Sequence, residues 1–246
     1  MKLLLIDIGN SAFKWRYADQ AGMREGGCLH AGSWQSLPDA WRVLSPDAIW
    51  LASVVGEQAT QSILALLAAQ FDCPLHHVRA GKQLLGVQSG YQQPLRLGVD
   101  RWLGVVEGFQ RVGACIVIDA GSAITLDAVT ASGQHLGGYI LPGLAMMEQA
   151  LLGATAEVVF DVAARESTVP GTTTQQAVQN GVLMMAAAGI ERAIVAFQKQ
   201  LQDTGKILVT GGDAAVLVPH LRVPVVQVSN LVLASLERLA SNNTGV

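Results

Sequence analysis

The chain has 246 residues, of which 50% are hydrophobic and only 14% charged, with a formal net charge of −3. That length can bury a sizeable core as one large domain or two small ones, and the near-neutral balance, without any run of Lys or Arg, gives no support to a nucleic-acid or acidic-membrane surface. The charged fraction lies well under the ~25% usual in soluble domains, so part of the surface is expected to be covered in an oligomer.

The first stretch, Leu3 to Trp15 (LLLIDIGNSAFKW), sets the pattern for the rest. A continuous apolar run holds one acid, Asp7; Gly9, Asn10 and Ser11 then make a turn before Phe13, Lys14 and Trp15 resume an extended pattern. The run predicts a buried strand and the turn a hairpin. Alone, this reads as an edge hairpin with a solvated Asp and Lys. The competing reading is a turn whose backbone N–H groups, with Lys14, hold an anion.

Tyr17 to Gly32 suits a further strand and loops, Ser36 to Leu44 a short helix, and Ala48 to Val55 a buried strand. Gly56 and Glu57 open a helix to Gln70, with Ile63, Leu64, Leu66 and Leu67 at helical spacing. Leu75 to Val78 reads as a strand; His76 and His77 would face opposite sides of it and cannot chelate one metal. Gly81 to Gly98 reads as a loop ending in GVDRW, followed by a helix over Trp102 to Arg111.

Cys115 to Val129 (CIVIDAGSAITLDAV) repeats the opening grammar: buried strand, acid, Gly-containing turn, second strand. Aligning Asp7 with Asp119 puts Gly9 on Gly121 and Asn10 on Ser122, and Ile49 to Gly56 then resembles Ile207 to Gly212. The halves are therefore a duplicated α/β unit, divided as residues 1–113 and 114–246. Later elements are a helix from Leu144, an extended Val158 to Asp161, a helix from about Gln175 to Leu201 capped by Thr173 or Thr174, and a last helix over Asn230 to Ala240.

After Lys2 only Leu3 to Ile6 precede Asp7, too short for a signal-peptide core, and the apolar Gly181 to Phe197, interrupted by Glu191 and Arg192, reads as too short to span a bilayer. Cys28, Cys73 and Cys115 are odd in number and lack C-x-x-C spacing, which suits a reducing cytoplasm rather than a disulfide framework or zinc site.

Three constellations could carry chemistry. The paired hairpins could grip a polyphosphate and its Mg²⁺; neither a P-loop nor a G-x-G-x-x-G is present. The repetition favours this over two solvated turns. In GVDRW, Asp100 could act as general base for an alcohol and Arg101 supply charge to a carboxylate or phosphate, against the plain reading of a helix cap with a surface ion pair. VTGGDA, Val209 to Ala214, is equally a tight strand–helix turn or a place for a nucleotide to approach the backbone.

Together, DIGNSAFKW (7–15), YQQPLRLGVDRW (91–102), DAGSAITLD (119–127), GGYILPG (137–143), TTQQAVQNG (173–181) and VTGGDA (209–214) resemble the type III pantothenate kinases of the acetate-kinase/sugar-kinase/Hsc70/actin superfamily. The resemblance implies duplicated ribonuclease H-like (actin-like ATPase) domains with a cleft between them. It also implies transfer of the ATP γ-phosphoryl group to the primary hydroxyl of pantothenate, the first step towards coenzyme A. By the same resemblance Asp100 is the base, and Asp7, Ile8, Gly9, Asn10, Ser11, Lys14, Gly121 and Ser122 hold ATP with Mg²⁺. Tyr91, Gly98, Val99, Asp100, Arg101 and Thr174 hold pantothenate, Thr174 from the other subunit of a homodimer, and Asp119 binds K⁺ or NH₄⁺. Ser11 and Ser122 stand where the family usually has Thr, and Ser235 where it often has Gly. Bvg accessory factors resemble the same family, so a non-catalytic regulator is the alternative.

Overall fold

The computed structural model describes residues 1–19, 22–29, 36–154, 167–202 and 205–242. In chain order it contains β1 (Leu3–Ile8), β2 (Ala12–Asp19), β3 (Gly22–Leu29), β4 (Ala48–Ser53), α1 (Glu57–Gln70), β5 (Leu75–Val78), β6 (Gln83–Leu84), β7 (Val87–Gln88) and α2 (Val99–Val112). There follow β8 (Cys115–Ala120), β9 (Ala123–Val129), β10 (His135–Pro142), α3 (Leu144–Ala154), α4 (Thr174–Leu201), β11 (Lys206–Thr210), α5 (Ala214–Leu217), β12 (Val226–Gln227) and α6 (Leu231–Ser241). The expected strand over Val158 to Asp161 lies outside the described residues.

Two compact units result, one made of Met1–Lys82, Tyr91–Glu107 and Leu231–Val246, the other of Gln83–Gly90 and Gly108–Asn230. A cut at residue 113 would place residues 83–90 in the first unit and 231–246 in the second; their contacts group the other way. The two sheets have the same topology, β3-β2-β1-β4-β5 and β10-β9-β8-β11-β12. In each, three antiparallel strands are followed by two added in parallel. The repeat proposed from the two hairpins thus extends to whole sheets, with β4 and β11 in equivalent places.

In the first unit β1 is the central strand, not an edge, which is why its apolar run is unbroken. Leu4, Ile6 and Ile8 alternate to one face, where they meet Ile49, Leu51 and α1 through Ile63 and Leu67. The other face is covered by α6, which packs on β1 and β4. Ser36 to Leu44 forms only a 3₁₀ turn at Asp39–Trp41, entered at Pro38; Trp41 is fully buried against Phe13 and Trp15, so packing, not helical propensity, holds this segment. His76 stacks on Trp50, with centroids 4.3 Å apart. Burial, then the Arg79 charge, lowers the pKa of half-buried His77, so both histidines are accounted for without a ligand.

Ser235 is fully buried on α6, and its hydroxyl is one of two buried side-chain polar atoms without a hydrogen-bond partner among the described residues. An orphaned buried hydroxyl costs about 1–3 kcal/mol. Ser235→Ala is therefore expected to raise the urea midpoint, by about 1 kcal/mol in stability. A lowered midpoint would show that the hydroxyl has a partner after all.

In the second unit Ile116, Ile118, Ile124 and Leu126 pack against α3, α4 and β11. α4 runs unbroken for 28 residues through Gly181 and Gly189, with the bounds the sequence indicated to within one residue. Among the described helices it is long and apolar enough to cross a membrane by length and composition, with mean hydropathy 1.4. Its Val182, Leu183, Ile190, Ile194 and Phe197 nevertheless belong to this core. Cys73 and Cys115 are free thiols, and burial pushes the Cys115 thiol up to about 12, leaving it unreactive near neutrality.

Candidate active site

The two acids at the hairpins take equivalent positions, each one residue before its strand ends. Asp7 lies opposite Lys14 of β2 and Ala52 of β4; Asp119 lies opposite Thr125 of β9 and Thr210 of β11. In strand register, Lys14 stands beside the first acid and two threonines beside the second. The Gly9 N–H closes that turn on the Ala12 carbonyl at 2.9 Å, and the Gly121 N–H closes the second on Ala123 at 3.1 Å. Ile8 is buried below, while Asn10, Ser11 and Ser122 stand exposed at the tips. Three residues connect the first pair of strands and two the second, so the alignment of Asn10 with Ser122 spans a one-residue difference.

Around the second turn, three motifs distant in sequence meet. The Gly143 N–H donates to the Ser122 carbonyl at 3.2 Å, and the Asp213 N–H donates to the Ala120 carbonyl at 2.9 Å. A Cβ on Gly143 would collide with the Ser122 carbonyl, and one on Gly211, which has φ of 101°, with Ala120. Gly143 of LPG and Gly211 of TGGD are therefore glycine for one reason: their backbones touch that of DAGS at the end of β8. The structure favours the close-packing reading of VTGGDA without removing the other.

Tyr91, Gly98, Val99, Asp100 and Arg101 come together in the first unit. The expectation of a loop before the helix is corrected: Val99 and Asp100 already belong to α2, whose first bond runs from the Trp102 N–H to the Gly98 carbonyl at 2.9 Å. Buried Val99 anchors this end. Asp100 Oδ1 accepts from the Arg101 N–H at 2.8 Å, and a Cβ on Gly98 would come within 2.6 Å of that oxygen. Arg101, 9% exposed, donates through a guanidinium N–H to the Tyr91 hydroxyl at 2.7 Å and lies 5.6 Å from the Tyr91 ring centre. A carboxylate in a helix's first turn is also favoured by the dipole. A base and a buried cation braced by a phenol side by side can deprotonate an alcohol and hold an anion.

Thr174 lies in the second unit, exposed at the first residue of α4; Thr173 is the cap, accepting from the Gln176 N–H at 3.2 Å. That leaves the Thr174 side chain uncommitted to capping. Among the described residues no three His, Cys, Asp or Glu side chains gather as a metal cluster.

Two pairs with buried carboxylates escaped the sequence reading. His135 and Asp127 bond at 2.9 Å in the second unit, and Glu107 receives two bonds from Arg238 in the first, at 2.8 and 3.1 Å. Asp127 closes the DAGSAITLD motif, a faint signal for its pair; nothing local marks the second.

The repeated β3-β2-β1-β4-β5 topology gives the chain a duplicated actin-like fold. In structure it is similar to a Campylobacter jejuni protein described as a Baf family transcriptional activator (TM-score 0.62, 21% identity, 98% of each chain) and to an archaeal actin homologue (TM-score 0.53, 13% identity, 99% of this chain and 100% of the other). The model of the type III pantothenate kinase family matches residues 3–196. The type III pantothenate kinase of Alcanivorax borkumensis is 40% identical, covering 97% of this chain and 98% of the relative; that of Chromohalobacter salexigens is 38% identical, covering 96% and 86%. The chain belongs to the type III pantothenate kinase family.

Proposed function

We propose that this protein phosphorylates pantothenate on its primary hydroxyl with the γ-phosphoryl group of ATP, opening coenzyme A synthesis. The observation that carries the reading is the Tyr91–Asp100–Arg101 cluster at the start of α2 in a chain of this family. Asp100 takes the hydroxyl proton as the oxygen attacks the γ-phosphorus and the bond to the bridging oxygen of ADP breaks, releasing ADP, and Arg101, held by Tyr91, balances the charge of the acceptor's carboxylate. Phosphoryl transfer chiefly needs such positioning and charge neutralisation.

The turn from Asp7 to Ser11, with Lys14, and the turn at Gly121 and Ser122 hold the ATP phosphates through backbone N–H groups, hydroxyls and one cation. Mg²⁺ neutralises phosphate charge when bound. Asp119 is the residue for a monovalent cation, K⁺ or NH₄⁺. Thr174, exposed and free of capping duty, contacts pantothenate from the partner subunit of a homodimer. Tyr139, Ile140, Met146, Leu151, Met184 and Met185, exposed on β10, α3 and α4, support such pairing, since exposed large apolar side chains are what interaction surfaces use. The composition suits the cytoplasm. The regulatory alternative of the Bvg accessory type finds no support in the relatives, which are named as kinases.

The test is ADP release by purified protein with MgATP and pantothenate, in K⁺ and in Na⁺. Pantothenate-dependent turnover that requires K⁺ or NH₄⁺ is expected. No turnover in K⁺ would overturn the reading, and equal turnover in Na⁺ would remove the cation role of Asp119.

A further inference from the structure

The segment just before Tyr91 is bound into the second unit by a buried polar chain that the reaction as described does not use. β6 and β7 join through Leu85 (φ 44°) and Gly86 (φ 82°), a two-residue turn with both φ positive. The turn is pinned beside Gly133, where a Cβ would strike the Gly86 carbonyl, and the Gln88 N–H donates to the Gly133 carbonyl at 2.8 Å. Next along, the Gly90 backbone lies against the His135 carbonyl so closely that a Cβ would collide. The Gly90 N–H donates to His135 Nδ1 at 3.4 Å.

Because Nδ1 accepts, the ring proton sits on Nε2 and donates to Asp127 Oδ1 at 2.9 Å. The two side chains are 0% and 3% exposed. A buried imidazole–carboxylate pair adds little stability over an apolar pair of equal volume, and here its Nδ1 accepts from the Gly90 backbone N–H. Gly90 ends the stretch that belongs to the second unit, and Tyr91 begins the next stretch of the first. One peptide bond, about 3.8 Å between Cα atoms, separates the residue His135 holds from the residue that braces Arg101.

We propose that His135, oriented by Asp127, is a positioning residue for the acceptor site: by fixing Gly90 it sets where Tyr91 starts and so how Tyr91 supports Arg101. This rests on the proposed reading of Tyr91 and Arg101 as contacts for the acceptor. Its ligand class is accordingly a small carboxylate-bearing alcohol, and the binding of nucleotide does not depend on it.

Two substitutions separate the halves of the chain. His135→Asn keeps an acceptor near the Nδ1 position and loses the reach to Asp127; His135→Gln keeps a donor near the Nε2 position and loses the acceptor for Gly90. In His135→Gln the KM for pantothenate is expected to rise about tenfold with the KM for ATP unchanged, whereas His135→Asn stays within about threefold of wild type. Hydrogen–deuterium exchange of peptides spanning Gly90 is expected to speed up in His135→Gln and not in His135→Asn. Equal effects of the two variants on pantothenate KM, or unchanged exchange at Gly90 in His135→Gln, would overturn the proposal. Should the wild type show no pantothenate-dependent turnover, the functional reading fails, and the exchange result still decides whether His135 holds Gly90.

Discussion

Asp100→Asn is expected to leave the fold intact and to lower pantothenate-dependent turnover by about 10²–10⁴-fold, the range for removing a general base. The side chain sits half-buried in the first turn of α2, and its Oδ1 accepts from the Arg101 N–H. Asparagine has the same shape and can accept there through its amide oxygen, but it cannot take a proton from the acceptor hydroxyl. The lost charge at a helix N-terminus costs stability by only about 0.3–1 kcal/mol, so circular dichroism should be unchanged and the melting temperature nearly so. The KM for ATP should also hold, because the base meets the acceptor rather than the nucleotide. Turnover within threefold of wild type would remove Asp100 from the chemistry.

Arg238→Ala is expected to give the largest loss of stability among single surface-reaching substitutions. Glu107 is 1% exposed, and its carboxylate receives both guanidinium bonds of Arg238. Those bonds, ahead of the opposing effect of burial, raise the Arg238 pKa above its ordinary value. Removing one partner of a buried pair leaves the other charged away from water, which costs about 3–5 kcal/mol when both are buried. The Arg238 side chain keeps 34% of its surface exposed, so about 2–3 kcal/mol is the expected cost, read from the urea midpoint. The double variant Glu107→Leu with Arg238→Met should recover most of it, since an apolar pair of similar volume carries no desolvation penalty. If Arg238→Ala shifts the midpoint by less than experimental error, the ion pair does not secure α6 to α2.

The fold was legible in the sequence wherever its signal was local. Glu57 to Gln70 forms α1 with the bounds its spacing indicated, and the two acid-bearing apolar runs form the central strands of two matching sheets. Each such signal lies within a few residues, because a strand or helix exposes its pattern at period 2 or 3.6. Ser36 to Leu44 shows the limit: its helical pattern yields one 3₁₀ turn, because Pro38 and the burial of Trp41 outweigh propensity. The GVDRW segment was legible as a group of residues but not as the first turn of α2, since Gly98 gave a loop signal where it accepts the helix's first hydrogen bond.

The sequence by itself determined the α/β class, the duplication, the family and the residues Asp7, Asp100, Arg101 and Asp119 on which the functional reading rests, because those are carried by short motifs in order along the chain. Tertiary structure alone decided that residues 83–90 belong with the second unit and α6 with the first. It also decided that Tyr91 braces Arg101, that three glycine turns meet at the end of β8, that His135 and Asp127 are a buried pair, and that buried Glu107 pairs with half-buried Arg238. The physical reason is common to all of these. A buried charge or a backbone without room for a Cβ is defined by what the fold brings against it, and Glu107 and Arg238 stand 131 residues apart in the chain.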